Sequence, residues 1–171
     1  LTAHITRFLA TARAPDETPE DVWTTISSRC PSGWPIVRAG VVVFAGGATE
    51  SNNLAILGIA RAAERPGGHL VTSAAEHPSV EEPLAALEAD GFRVTRVPVD
   101  ADGLLDPDAV AAALTPETSL VSVLWANNET GVVQPIARIA ERVRARGVPL
   151  HVDATQAIGK IAVRLDEVPA D

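Results

Sequence analysis

Four short polar clusters in this sequence hold the residue types that do chemistry: Gly46-Gly47-Ala48-Thr49, Glu76-His77, Asn127-Asn128-Glu129 and Asp153-Ala154-Thr155-Gln156. The first opens a helical stretch. Its free backbone N–H groups and the positive end of the helix dipole suit an anion, and Thr49 adds a hydroxyl donor. The same residues also make an ordinary strand-to-helix turn with Thr49 as the N-cap. Neither G-x-G-x-x-G nor G-x-x-x-x-G-K-[ST] occurs, which weakens a generic nucleotide-binding domain as a rival reading. His77 precedes Pro78 at a helix start, where it lies flat over a planar ligand, carries a proton, or is a surface loop histidine. Asn128 hydrogen-bonds a ligand oxygen or closes a turn. Asp153 ends an apolar strand, and a buried carboxylate needs a partner: a cationic ring nitrogen would serve, as would an arginine elsewhere in the fold. His4, His69, His77 and His151 have no ligand-like spacing, so no metal is expected.

The elements that must position these clusters follow from hydrophobic period and punctuation. Val41-Val42-Val43-Phe44 reads as a buried strand, followed by a helix from about Thr49 to Ala63. Strands are expected at 69–72, 92–99, 119–125 and 149–152, and helices at 78–90, 107–114 and 136–146, with Gly91 and Gly147 as stops. Strands alternating with helices, the strands nearly continuous in apolar residues, predict an α/β fold with a largely parallel sheet. Ligand groups in such sheets gather at the carboxyl ends of the strands, which is where the four clusters fall. Residues 1–38 differ: Pro15, Pro19, Pro31 and Pro35 interrupt a Thr- and Ser-rich stretch without a clean period. That segment is poorly specified, with a short helix around Pro19 to Ile26 as its one regular feature.

Composition narrows the function classes. The chain has 171 residues, 46% hydrophobic and 21% charged, the composition of a globular domain. A net charge of -8 and a pI near 4.9 argue against nucleic acid or an anionic membrane surface as a partner. No apolar run reaches the roughly 18 residues of a membrane span. One cysteine, Cys30, leaves no internal disulfide framework and no multi-cysteine zinc site. No methionine is present and the chain begins at Leu1, which is not the look of a complete translation product. Lys160 is the single lysine among 14 basic residues, an arginine bias typical of a GC-rich genome. The first residues lack the pattern of a secretory signal, so a cytoplasmic location is expected.

In VVVFAGGATESNNLAI, SAAEHPSV, SVLWANNETGVVQPI and LHVDATQAIGK, taken together and in order, the chain resembles the NifS-like cysteine desulfurases of the class V aminotransferase family. The resemblance runs from about Ala39 to Asp171, and it implies a three-layer α/β/α fold: part of the large domain of pyridoxal-phosphate fold type I. It implies pyridoxal 5'-phosphate as cofactor, with Ala48 and Thr49 at its phosphate, His77 stacked on its ring as a proton carrier, Asn128 and Gln156 near its phenolic oxygen, and Asp153 paired with its ring nitrogen. The implied reaction takes sulfur from L-cysteine, leaving L-alanine and a persulfide for iron–sulfur cluster or cofactor assembly. A sulfur-accepting scaffold protein and a homodimer are implied for an intact relative.

The chain departs from the family pattern in several places. The family's Schiff-base lysine lies in a Ser-Gly-His-Lys segment beyond the position of Asp171, and Lys160 occupies a different family position. The domain with the sulfur-accepting cysteine and the carboxylate-binding arginine also lies beyond it, and Cys30 does not correspond to that cysteine. The family's early Asn/Ser-Ala-Thr-Thr-Pro and Gly-Asn-Pro-Ser signatures are not found in residues 1–38, and Ala45-Gly46 stands where Thr-Ser is more usual. The isolated polypeptide is therefore expected to be inactive. Two other readings stand beside this one: another class V enzyme such as selenocysteine lyase, and a non-enzymatic fragment or pseudoenzyme that binds an intact homologue.

Overall fold

The computed structural model describes residues 45–62, 68–163 and 168. The expected strand at 41–44, the N-terminal segment 1–38 and Cys30 lie outside the described residues. Within them the chain runs α1 (Ala48–Ala62), β1 (His69–Ser73), α2 (Pro78–Ala89), β2 (Arg93–Val97), α3 (Pro107–Ala113), β3 (Thr118–Leu124), α4 (Ile136–Arg144) and β4 (Leu150–Asp153).

The four strands form one sheet in the order β2-β1-β3-β4, every neighbouring pair parallel. Successive side chains on a strand point to opposite faces, so each central strand feeds two cores. Leu70 and Leu120 pack with Ile56 and Ala60 of α1 and Val80, Leu84 and Leu87 of α2. Their sequence neighbours Val71 and Val121 pack on the other face with Val110 of α3 and Ile136, Ile139 and Val143 of α4. The result is the three-layer α/β/α arrangement that the motifs implied. Each fully buried leucine or isoleucine here contributes about 1.5–3 kcal/mol of transfer free energy.

Two helix starts use the same local device. His77 before Pro78 and Asp106 before Pro107 both take extended backbone and accept a hydrogen bond from the N–H two residues on. Proline suits the first helical position because its φ is already helical and no N–H is wasted. At the other end of α2, Gly91 adopts φ 92, a conformation that stops the helix and that only glycine takes without strain.

Element ends agree with the periodic reading or differ from it by one or two residues. The strand expected to run to Val99 ends at Val97, because Asp100 Oδ1 accepts from the N–H groups of Asp102 and Leu104 and folds the chain back. Val99 then pairs antiparallel with Leu105 as an isolated bridge. At one edge of the described sheet β2 is exposed or half-buried at most positions, whereas the central strand β1 is buried throughout. Strand order has a functional consequence. From β1 the chain moves outward to β2, then crosses back to β3 and continues to β4 on the far side. The carboxyl ends of β1 and β3 therefore flank a topological switch point, where a crevice opens between diverging connections.

Candidate functional site

Around that crevice the ends of β3 and β4, the first turn of α1 and the start of α2 line a hollow of about 90 Å³. All six residues singled out from the sequence line it: Ala48, Thr49, His77, Asn128, Asp153 and Gln156. Ser79, Leu124, Ala126 and Thr155 also line it.

At one end stands the N-terminus of α1. The helix begins at Ala48, so Thr49 lies inside the first turn and does not cap it. Amides at a helix start have no acceptor within the helix and, with the dipole, favour negative charge. Glu50 reaches back to accept from the Gly46 N–H at 2.5 Å, outside the helix proper. At the other end Asp153 closes β4 and is buried at 6% exposure. Its Oδ1 accepts from the Thr155 N–H at 2.9 Å, and its Oδ2 from Asn52 Nδ2 at 2.9 Å. Two neutral donors, a backbone amide and a side-chain amide, thus orient the carboxylate.

Between these ends sits His77. Its Nδ1 accepts from the Ser79 N–H at 3.1 Å and lies 2.8 Å from Ser79 Oγ. The adjacent asparagines divide their labour. Asn127 Oδ1 accepts from the N–H groups of Glu129 and Thr130 while its Nδ2 donates to the Ala75 carbonyl, tying the loop after β3 to the loop after β1. Asn128, exposed, lines the hollow. Gln156 also lines it, and its Oε1 accepts from Lys160 Nζ.

Three contributors, Asn52, Ser79 and Glu76, had no role assigned from the sequence. Asn52 of α1 is fully buried and donates both to Asp153 and to Ser79 Oγ, the latter at 2.9 Å. A continuous chain of hydrogen bonds therefore runs Asp153–Asn52–Ser79–His77. A signal was available: Asn52 shares its helix face with Ile56 and Ala60 at four-residue spacing, and a polar side chain on an apolar face needs partners. The third is Glu76. Its Oε1 accepts from Ser73 Oγ at 2.5 Å and from the Leu124 N–H at 3.0 Å, bridging the crevice. Its Oε2 is buried with no hydrogen-bond partner among the described residues. Burial pushes this carboxyl up to about 8 against the pull of the Ser73 and Leu124 hydrogen bonds, with the charges of Asp153 and Glu81 adding to the rise. Among the described residues no cluster of His, Cys, Asp and Glu could hold a metal ion, and no helix is long and apolar enough to cross a membrane.

The site thus combines a helix N-terminus with a hydroxyl, a flat imidazole, two side-chain amides and a buried carboxylate. That donor set fits an elongated ligand with an anionic end, a planar middle and a protonated nitrogen.

Comparison with known proteins gives the same direction. The sequence profile of the family described as aminotransferase class-V matches residues 37–171. A cysteine desulfurase of Mus musculus is 48% identical over 130 residues, covering 76% of this chain and 28% of that protein. The cysteine desulfurase IscS of Anaeromyxobacter sp. (strain K) is 50% identical over 130 residues, covering 76% and 32% respectively. Among solved structures, SspA in complex with cysteine superposes with a TM-score of 0.71 at 40% identity, over 73% of this chain and 36% of that one. DndA from Streptomyces lividans gives a TM-score of 0.66 at 47% identity, over 70% and 34%. The chain spans about a third of the length of the curated relatives it matches. With motifs, sheet topology and sequence profile in agreement, this chain belongs to the class-V aminotransferase family.

Proposed function

We propose that this chain forms the cofactor cradle of a pyridoxal-phosphate-dependent cysteine desulfurase. The observation that carries the reading is the meeting of the α1 N-terminus, the His77 imidazole and the Asp153 carboxylate in one hollow. Bound there, pyridoxal phosphate would supply an electron sink for bond breaking at an amino acid's α-carbon.

The residues divide the remaining work. Ala48 and Thr49 receive the phosphate through backbone amides and a hydroxyl. Asp153, gripped by Asn52 and Thr155, accepts from a protonated ring nitrogen and keeps that proton in place. His77 is anchored at Nδ1, so its ring has a set plane against the cofactor and its Nε2 is able to carry a proton. Asn128 and Gln156 bring amide donors to the ring oxygen. In the reaction proposed, L-cysteine and an acceptor thiol give L-alanine and a persulfide, the sulfur atom moving from carbon to thiol with no outside oxidant. The relatives' names and the cysteine in the SspA structure support that substrate. A homodimer and a scaffold protein that takes up the sulfur complete the proposal.

Titrating the purified chain with pyridoxal phosphate, followed by difference absorbance, tests the site. Saturable binding is expected, weakened about 100-fold in Asp153→Ala, the scale of removing one partner of a desolvated charge pair. Equal binding by the two proteins would overturn the reading.

A further inference from the structure

We infer that Asn52 is a positioning residue that holds the His77 proton on Nε2 and orients the Asp153 carboxylate, linking the two through a single amide nitrogen. The inference rests on the site reading only for the use to which that proton is put; the proton's location follows from hydrogen-bond direction.

Asn52 Nδ2 lies 2.9 Å from Asp153 Oδ2 and 2.9 Å from Ser79 Oγ. An ionised carboxylate can only accept, so the atom facing it must be the NH₂ group, which fixes the amide's orientation. One N–H goes to Asp153, and the second goes to the Ser79 oxygen. With that oxygen accepting from Asn52, the Ser79 hydroxyl hydrogen is free to point onward. Its neighbour on that side is His77 Nδ1 at 2.8 Å, which also accepts from the Ser79 N–H at 3.1 Å. Two donors converge on Nδ1, so Nδ1 is the acceptor and the neutral ring carries its proton on Nε2. Moving the proton to Nδ1 would strip the Ser79 N–H of its acceptor and turn the hydroxyl away, each at the cost of a hydrogen bond.

Asn52 directs the side-chain branch of this relay, because the atom it presents to Ser79 can only donate, and the Ser79 N–H is a second fixed donor at Nδ1. Asn52 is fully buried, so water does not replace it. Through it, two groups on different elements, the N-cap of α2 and the end of β4, 76 residues apart between His77 and Asp153, are set by one side chain.

The test reads the imidazole directly. In the ¹⁵N-labelled chain without cofactor, long-range ¹H–¹⁵N ring correlations, assigned to His77 by comparison with His77→Gln, are expected to show the Nε2–H form. Asn52→Leu, close in volume but with no donor, is expected to lower the ratio of Nε2–H to Nδ1–H forms about tenfold, the effect of one hydrogen bond of ordinary net strength. Ser79→Ala is expected to shift the ratio in the same direction while circular dichroism stays that of the parent; it decides the matter if Asn52→Leu does not fold. An Nδ1–H form in the parent, or an unchanged ratio in the folded variants, overturns the inference. Because no cofactor is needed, a parent chain that fails to bind pyridoxal phosphate counts against the site reading alone.

Discussion

Two histidines stand at opposite ends of β1, and their surroundings could hardly differ more. His69 opens the strand at 2% exposure, with Nδ1 2.8 Å from Thr118 Oγ1 on β3 and Nε2 2.8 Å from Thr95 Oγ1 on β2. It ties three strands together and has both ring nitrogens engaged. His77, just past the carboxyl end, is exposed and bonds through Nδ1 to Ser79. Both edges of the sheet carry polar clusters, so polarity alone does not mark function. At the carboxyl edge His77 and its neighbours direct hydrogen-bonding capacity into the hollow, whereas His69 at the amino edge has spent its own on the fold. Titration follows the same division. Burial holds His69 below its ordinary value of 6.5, with the Arg93 charge pushing the same way against that of Glu117. A depressed histidine costs stability as the pH falls through and below 6.5, because the unfolded chain binds the proton more readily.

Substitution at the amino edge should produce the largest loss of stability. His69→Ala removes two buried hydrogen bonds and leaves a cavity between three strands, an expected cost of about 3 kcal/mol in urea denaturation. The folded fraction should bind pyridoxal phosphate as the parent does; weakened binding would erase the contrast between the edges. Glu76, inside the crevice, gives the next effect. Its pKa rises from 4.5 to about 8 on folding, so across that window the unfolded chain releases a proton the folded chain keeps. Stability contributed by the protonated form is complete below about 4.5 and is lost as the pH climbs toward 8. Glu76→Gln, which mimics the neutral acid, should abolish that slope and raise stability at pH 8 by roughly 2 kcal/mol over the parent. Urea midpoints at pH 5.5 and pH 8 would show it, and parallel slopes in the two proteins would refute it. The smallest change in stability is expected for His77→Ala, where losing an N-cap costs about 1 kcal/mol. Its signature lies in binding: a loss of about tenfold in affinity for pyridoxal phosphate, measured by the same titration, as an aromatic face is withdrawn. A stability loss without a change in affinity would make His77 a second His69.

Much of the fold was legible from neighbouring residues. The strand 118–124 and the helix 136–144 follow from runs and periods in consecutive positions, and the stops at Gly91 and Gly147 from the need for positive φ. Legibility at the site was uneven. Asp153, His77 and Thr49 stand out because each is a polar residue just beyond an apolar run. Asn52 is hidden inside a helix, and its role depends on a partner 101 residues away. Glu76 looks like an ordinary loop acid until the Leu124 amide closes over it. The proton relay is invisible to spacing, since its links join α1, the start of α2 and the end of β4.

Local chemistry alone therefore determined the alternation of strands and helices, the proline-led helix starts at His77 and Asp106, and the placing of four polar clusters at strand ends. Those features depend on interactions over a few residues, and consecutive letters record them. Tertiary structure decided the order β2-β1-β3-β4, and with it which strand ends face each other across a crevice. It also decided that Asn127 would bind two loops while Asn128 lines the hollow, and that a buried amide would join Asp153 to His77. Such outcomes turn on which distant surfaces pack together, and burial attaches a hydrogen-bonding requirement to each polar atom only once that packing is set.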